Sequence, residues 1–134
     1  MDVVEQVKSA AARSDGLDQR IGIEVLELSA THAVGRVPVA GNTQPLGLWH
    51  GGASCVLAES LASLSAAVAA GGGAVFGVDI NATHHAPARA GWVTGRATAL
   101  RVGRSLGTWE VVLTDDAGER ICTARVTCAL RPRP

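Results

Sequence analysis

Net charge is missing from this chain. Twelve acidic residues stand against twelve Lys and Arg side chains in 134 residues. A surface for nucleic acid or an anionic membrane needs a basic excess, so neither partner is expected. A zero balance also gives little repulsion between copies, which favours self-association. The start, Met1-Asp-Val-Val-Glu-Gln-Val-Lys8, lacks the basic opening and apolar stretch of a secretory signal. Cysteine is scarce. Cys55, Cys122 and Cys128 are odd in number and have no metal-ligand spacing, so no metal site is expected. A reducing cytoplasm is the expected compartment. No repeat or low-complexity linker interrupts the chain, and 1–134 reads as one domain. Gly71-Gly72-Gly73 is followed by no lysine-bearing helix start, which excludes a phosphate loop.

The most telling absence is local. Between Arg36 and Asp79 only one residue carries a formal charge, Glu59. It sits among small and apolar residues, just after His50-Gly51-Gly52. Burying a charge is costly unless something pairs with it, so a carboxylate in such a run asks for a reason. An ionisable group on an apolar element beside free backbone amides is what acid–base or nucleophilic chemistry requires.

What is present gives the frame. Residues 2–13 read as a short amphipathic helix on Val3, Val4, Val7 and Ala11, stopped at Ser14-Asp15-Gly16. Residues 20–29 and 31–39 read as strands, and 40–49 as a loop. Residues 52–70 form the one long helix. Leu57, Leu61, Leu64 and Val68 make one stripe on it; Cys55, Glu59 and Ser63 make another. Glu59 and four serines argue against a membrane span there. Its small side chains let a sheet approach closely. Strands follow at about 74–83, 91–101, 107–115 and 119–130, the last two joined by the turn Asp115-Asp116-Ala117-Gly118. Cys122, Ala124, Val126 and Cys128 share one face of the last strand and read as core. The class is α+β: one apolar helix covered by a curved antiparallel sheet of five or six strands, plus the short N-terminal helix. Such a sheet has open edges that pairing between subunits can close.

Gly51 and Gly52 open the long helix, where backbone N–H groups lack intrahelical partners and the dipole adds partial positive charge. A carbonyl placed there is polarised. Glu59 lies two turns on, ~12 Å along the axis at ~1.5 Å per residue. One chain cannot bring both to one carbonyl, which predicts a site shared between two subunits.

The segment Gln44-Pro-Leu-Gly-Leu-Trp-His50-Gly-Gly-Ala-Ser-Cys-Val-Leu-Ala-Glu59-Ser resembles the hot-dog-fold acyl-CoA thioesterases. Within that family it is similar to the glutamate-type 4-hydroxybenzoyl-CoA, enterobactin-proofreading and 1,4-dihydroxy-2-naphthoyl-CoA enzymes. The likeness continues in Val78-Asp-Ile-Asn81-Ala-Thr-His84-His85-Ala-Pro87, in Arg101-Val-Gly-Arg104-Ser-Leu-Gly-Thr-Trp109, and in Asp116-Ala-Gly-Glu-Arg-Ile-Cys122. It covers about residues 20 to 130.

The resemblance implies Glu59 as catalytic carboxylate, with Gly51 N–H and the Gln44 side chain on the thioester carbonyl. It implies His50 as the loop's support and Ser63 as an aid at the acyl or water end. It implies that Gly77, His84, His85, Pro87, Arg89, Arg101, Gly103, Arg104 and Ser105 contact the substrate or its CoA portion. It also implies an acyl-CoA substrate, no cofactor, and a homotetramer built as a dimer of dimers. Two features depart from some relatives. Ser63 stands where they have threonine, and the segment before Asn81 is one residue shorter.

Other readings compete. Alone, Glu59 would read as half of a structural ion pair; the spacing of Gln44, His50, Gly51 and Ser63 around it favours catalysis. His84 and His85 are adjacent on a strand and point to opposite faces, a poor metal pair. Trp49, Trp92 and Trp109 read as packing residues. A hot-dog dehydratase or hydratase acting on acyl thioesters, and a non-catalytic acyl-CoA-binding protein, are the alternatives.

Overall fold

Asp2 starts the first element by accepting the Glu5 N–H at 2.8 Å, the cap a helix N-terminus needs. The computed structural model describes residues 1–134. Its elements are α1 (Val3–Ala12), α2 (Leu17–Ile21), β1 (Glu24–Leu28), β2 (His32–Pro38), α3 (Gly51–Ala69), β3 (Ala74–His84), β4 (Trp92–Val102), β5 (Leu106–Thr114) and β6 (Arg120–Arg131). The six strands form one antiparallel sheet in the order β1-β2-β4-β5-β6-β3. The sheet wraps α3, which touches every strand from β2 to β6. This is the wrapped-helix architecture expected, with six strands. α3 is long and apolar enough to cross a membrane by composition alone. Here it is the core helix.

Two expectations need correction. Residues 20–29 are not one strand. A short helix, α2, precedes β1 and ends at Gly22, whose φ of 85° is left-handed. The Asp18 carbonyl accepts both the Gly22 and Ile23 N–H groups, closing that turn. The alternation of Ile21, Ile23 and Val25 runs through a single helical turn, so period-two reading passes over it.

The leucine stripe also divides. The face of α3 against the sheet is Ala53–Ser54, Leu57–Ala58, Leu61–Ala62 and Ser65–Ala66. Leu64 and Val68 are half-buried on the flank, and Leu64 faces α1 and α2. A helix wrapped on most of its circumference buries a broad arc. Small residues then serve as well as leucine.

Buried serines on that arc are satisfied. Trp109 Nε1 donates to Ser65 Oγ at 3.0 Å, and Ser65 donates to the Ser29 carbonyl at 2.9 Å. Trp49 Nε1 donates to Ser54 Oγ at 2.6 Å. No buried side-chain polar atom lacks a partner. The alternation of β5 holds: Trp109, Val111 and Leu113 are fully buried. Trp92 lies under the Arg36 guanidinium, 3.9 Å from its ring centre.

Leu61 of the helix meets the sheet at two glycines. Gly35 and Gly95 are cross-strand partners on β2 and β4. A Cβ on either would lie 2.8 Å from a Leu61 methyl carbon. The pair forms the hollow that seats Leu61. Gly95→Val is therefore expected to destabilise the protein by about 1–3 kcal/mol through overpacking, although valine suits an open strand better than glycine. A lowered urea midpoint with unchanged slope is the expected measurement.

The sheet edges differ. β1 is short. β3 is an eleven-residue edge whose Phe76 and Val78 are each 58% exposed. A long apolar edge of this kind is a template for pairing.

Candidate active site

The loop before α3 is built by side chains that hold backbone. Asn42 Nδ2 donates to the Ile21 and Pro38 carbonyls at 2.9 and 2.8 Å. The Asn42 carbonyl accepts His50 N–H at 2.9 Å. Gln44 N–H reaches the Leu48 carbonyl, and Gly47 turns with φ of 81°. Gln44 Oε1 accepts the Leu46 N–H. A backbone donor can only face the amide oxygen, so the orientation is set. The Gln44 Nε2 amino group is then left to donate elsewhere.

His50 is the N-cap of α3. Its Nδ1 accepts the Gly52 N–H at 2.8 Å, which identifies the Nε2–H tautomer. The Ala53 and Ser54 N–H groups go to the His50 carbonyl. The Gly51 N–H is thus the donor left over at a positive helix end. The ring of His84, at the end of β3, rests on Gly51: a Cβ there would lie 2.8 Å from His84 Nε2. A side chain at Gly51 would have to displace the His84 ring. Gln44, Gly51, Ser54, His84 and Pro87 line one cavity of about 380 Å³. His85 also borders it, while its Nε2 lies 2.9 Å from Thr123 Oγ1.

Glu59 lies elsewhere. It is half-buried and has no cationic partner. The two ion pairs, Glu27 with His32 and Glu24 with Arg36, are on β1 and β2. Its carboxylate presses on Gly77 of β3, where a Cβ would collide with Oε1. That glycine sits at a register shift between Gly77 and Asp79. Glu59 and Ser63 line a second cavity of about 330 Å³ with Leu17, Asp18, Val56, Ser60 and Leu64. Ser63 Oγ is 4.0 Å from Cys128 Sγ. Burial pushes the Cys128 thiol above its ordinary value. The Ser63 hydrogen bond opposes that rise and the negative charge of Glu59 adds to it. Cys128 therefore stays a thiol and offers no competing nucleophile. Cys122 is raised by burial in the same way, lowered by Ser54 and raised by Cys55.

The candidate residues thus fall into two groups that share no cavity. Gln44, His50, Gly51, His84, His85, Pro87 and Arg89 gather at the Cys122 end of β6, since His84 pairs with Cys122. Glu59, Ser63 and Gly77 gather at the Cys128 end, since Gly77 pairs with Cys128. Arg101, Gly103, Arg104 and Ser105 lie at that same end, in or beside the β4–β5 turn, closed by Gly103 N–H on the Leu106 carbonyl at 2.8 Å. The ends are six residues apart, or ~20 Å at ~3.3 Å per residue. Arg89, Arg101 and Arg104 are exposed and form no ion pair.

Sequence reasoning missed Asp18. It borders the Glu59 cavity and accepts the Ser60 hydroxyl at 2.6 Å. Nothing in the local pattern marks it, because α2 itself was not legible.

Comparison with known proteins bears on this arrangement. A family model described as "Thioesterase superfamily" matches residues 46–122. The chain is 40% identical over 120 residues to a 1,4-dihydroxy-2-naphthoyl-CoA hydrolase of Listeria monocytogenes, covering 88% of this chain and 98% of that one. It is 38% identical to the proofreading thioesterase EntH of Klebsiella pneumoniae, covering 90% and 89%. Among solved structures, thioesterase HI1161 of Haemophilus influenzae superposes with a TM-score of 0.85 at 31% identity, covering 96% and 90%. A mutant of thioesterase PA1618 of Pseudomonas aeruginosa superposes with a TM-score of 0.86 at 33% identity, covering 97% and 94%.

Proposed function

The chain belongs to the thioesterase superfamily, a hot-dog-fold enzyme of thioester hydrolysis, and we propose that it cleaves an acyl-CoA with an aromatic acyl group to the acid and free CoA. The observation that carries this reading is the state of Glu59. It is a carboxylate without a cation, held against an edge strand, while the spare Gly51 N–H faces a different cavity of the same chain.

Pairing the exposed β3 edges of two copies resolves the separation. In an antiparallel pair centred near Ile80 and Asn81, the Gly77 end of one strand meets the His84 end of the other. Glu59, on Gly77, then faces the partner copy's Gly51 group, beside that copy's His84. Two such sites form per dimer, and two dimers make the proposed tetramer.

In each site the Gly51 N–H and Gln44 Nε2 donate to the thioester oxygen and stabilise the oxyanion as it forms. His50 keeps Gly51 free by capping Gly52. Glu59 acts from the opposite side as base or nucleophile. As base, it takes a proton from water while the water oxygen bonds to the acyl carbon. As nucleophile, it forms a mixed anhydride that water then opens. Either way the C–S bond breaks, and the CoA thiolate leaves and takes up a proton. Ser63 offers its hydroxyl beside Glu59. Arg89, Arg101 and Arg104 supply cations for the CoA phosphates, with His84, His85, Pro87, Gly103 and Ser105 along the arm. The working unit is a single domain, 1–134, in a reducing cytoplasm, which suits three free cysteines.

The test is a panel of acyl-CoA esters, aromatic and aliphatic, with thiol release read by a colorimetric reagent. Multiple turnovers with aromatic esters ahead are expected. Failure to release thiol from any ester would end the proposal.

A further inference from the structure

The two donors proposed for the thioester oxygen rest on a residue that lines neither cavity. Gln44 and His50 flank a loop with little hold of its own: Pro45, Leu46 and Gly47 are exposed. Two anchors fix it. Trp49 pins the end nearer α3, its N–H donating to the Ala88 carbonyl at 2.8 Å and its Nε1 to Ser54 Oγ. Asn42 pins the other end. Its Nδ2 has two hydrogens, and both are used. One goes to the carbonyl of Ile21, the last residue of α2, at 2.9 Å; the other goes to the carbonyl of Pro38, the last residue of β2, at 2.8 Å. A carbonyl at a helix end has no partner within the helix, so the first bond also satisfies the end of α2. The Asn42 N–H donates to the Val39 carbonyl, and its own carbonyl accepts the His50 N–H, both at 2.9 Å. Asn42 borders neither the Gly51 cavity nor the Glu59 cavity.

We infer that Asn42 is a positioning residue for the reaction: it fixes Gln44 Nε2 and the Gly51 N–H relative to each other, and so sets the shape of the oxyanion hole. The inference rests on the thioesterase reading of this site and goes beyond it. Gln44 is two residues along the chain from Asn42. Gly51 is one hydrogen bond and one residue away: the Asn42 carbonyl holds His50, whose ring caps Gly52 and leaves Gly51 free. Without the Nδ2 donors, the strand side of the loop keeps only the Val39 turn and the Thr43–Trp49 and Gln44–Leu48 pairings, which bind the loop to itself. The loop then shifts against α3. A displacement of about 1 Å in such a geometry is worth about 10²-fold in rate. An oxyanion hole acts on charge that develops in the transition state, so kcat carries the loss and KM does not.

The experiment measures kcat, KM and, by circular dichroism, the folded fraction of Asn42→Ala and Asn42→Asp with one aromatic CoA ester. Asn42→Asp keeps the size of the side chain but sets oxygens where two carbonyls need donors. A space-filling role would tolerate it; a donor role would not. Both variants are expected to lose about ten- to a hundredfold in kcat per folded molecule, with KM within about threefold of wild type. Asn42→Ala is then mixed with Glu59→Ala or with Gln44→Ala chains. With Glu59→Ala, about a quarter of wild-type turnover should return, because one site per mixed dimer has an intact loop and an intact carboxylate. With Gln44→Ala only the mean of the two residual rates should appear, because both lesions fall in the same half of the site. Wild-type kcat in Asn42→Asp, a loss explained wholly by the unfolded fraction, or recovery with Gln44→Ala would overturn this role for Asn42 and leave the thioesterase reading standing. If the wild type releases no thiol from any ester, both fall. If Glu59→Ala and Gln44→Ala fail to restore each other, the shared site falls and the kcat values decide the role of Asn42. Should Asn42→Ala fail to fold, Asn42→Ser, whose hydroxyl serves one of the two carbonyls, takes its place with a smaller loss of kcat expected.

Discussion

Glu59→Ala is expected to lower kcat by about 10³-fold or more while leaving the fold and CoA-ester binding in place, the scale set by removing a positioned base or nucleophile. Stability should change little, because Glu59 has no cation to lose and alanine favours helix. Losing a half-buried, unpaired carboxylate removes a desolvation cost as well. A structural glutamate would behave otherwise: its loss would lower the urea midpoint and leave turnover near normal. The same site admits a finer perturbation. Gly77→Ala places a Cβ where Glu59 Oε1 now lies, so the carboxylate must move while its chemistry is kept. A displacement of about 1 Å at a reacting group is worth about 10²-fold in rate, so Gly77→Ala should fall between wild type and Glu59→Ala. Single-turnover thiol release with one aromatic ester measures both. Turnover of Glu59→Ala within tenfold of wild type would remove Glu59 from the chemistry.

The part of this arrangement that could be read from sequence is the part that is local. Gln44, His50, Gly51, Glu59 and Ser63 lie within twenty residues, and their helical spacing alone separates Gly51 from Glu59. The core thiols Cys122 and Cys128, and the turn at Asp115–Gly118, follow from period-two alternation and turn chemistry. What escaped depends on residues distant in the chain. The hollow for Leu61 exists because Gly35 and Gly95, sixty residues apart, become cross-strand partners. The position of β3 at an edge follows from its pairing with β6 and not with a neighbour in sequence. Asp18 was invisible for both reasons: α2 is too short to show a period, and its contact with Ser60 spans 42 residues. Leu64 and Val68 were misassigned because periodicity locates an apolar face without saying how wide an arc the sheet will cover.

Mixing two inactive chains is expected to restore activity if the site is shared. Gln44→Ala removes the Nε2 donor to the thioester oxygen; Glu59→Ala removes the carboxylate. Each pure variant carries the lesion in every site. In a mixed dimer one site takes Glu59 from the Gln44→Ala chain and Gln44 from the Glu59→Ala chain, and is intact; the other site carries both lesions. Random exchange makes half the dimers mixed, so about a quarter of wild-type turnover should return. Reversible denaturation of an equimolar mixture, or co-expression with two affinity tags, forms the mixed dimers. A site built within one chain gives a different result: the mixture would show only the mean of the two residual rates, because no pairing could supply an intact set. The geometry favours the first outcome. Gly51 and Glu59 line separate cavities of one protomer, and β3, which carries a contact to each, is the longer of the two edge strands. Charged residues that block this edge, such as Val78→Lys, should suppress the recovery along with dimer formation. Loss of turnover and loss of pairing would then rise together as the edge is blocked, which no single-chain site predicts.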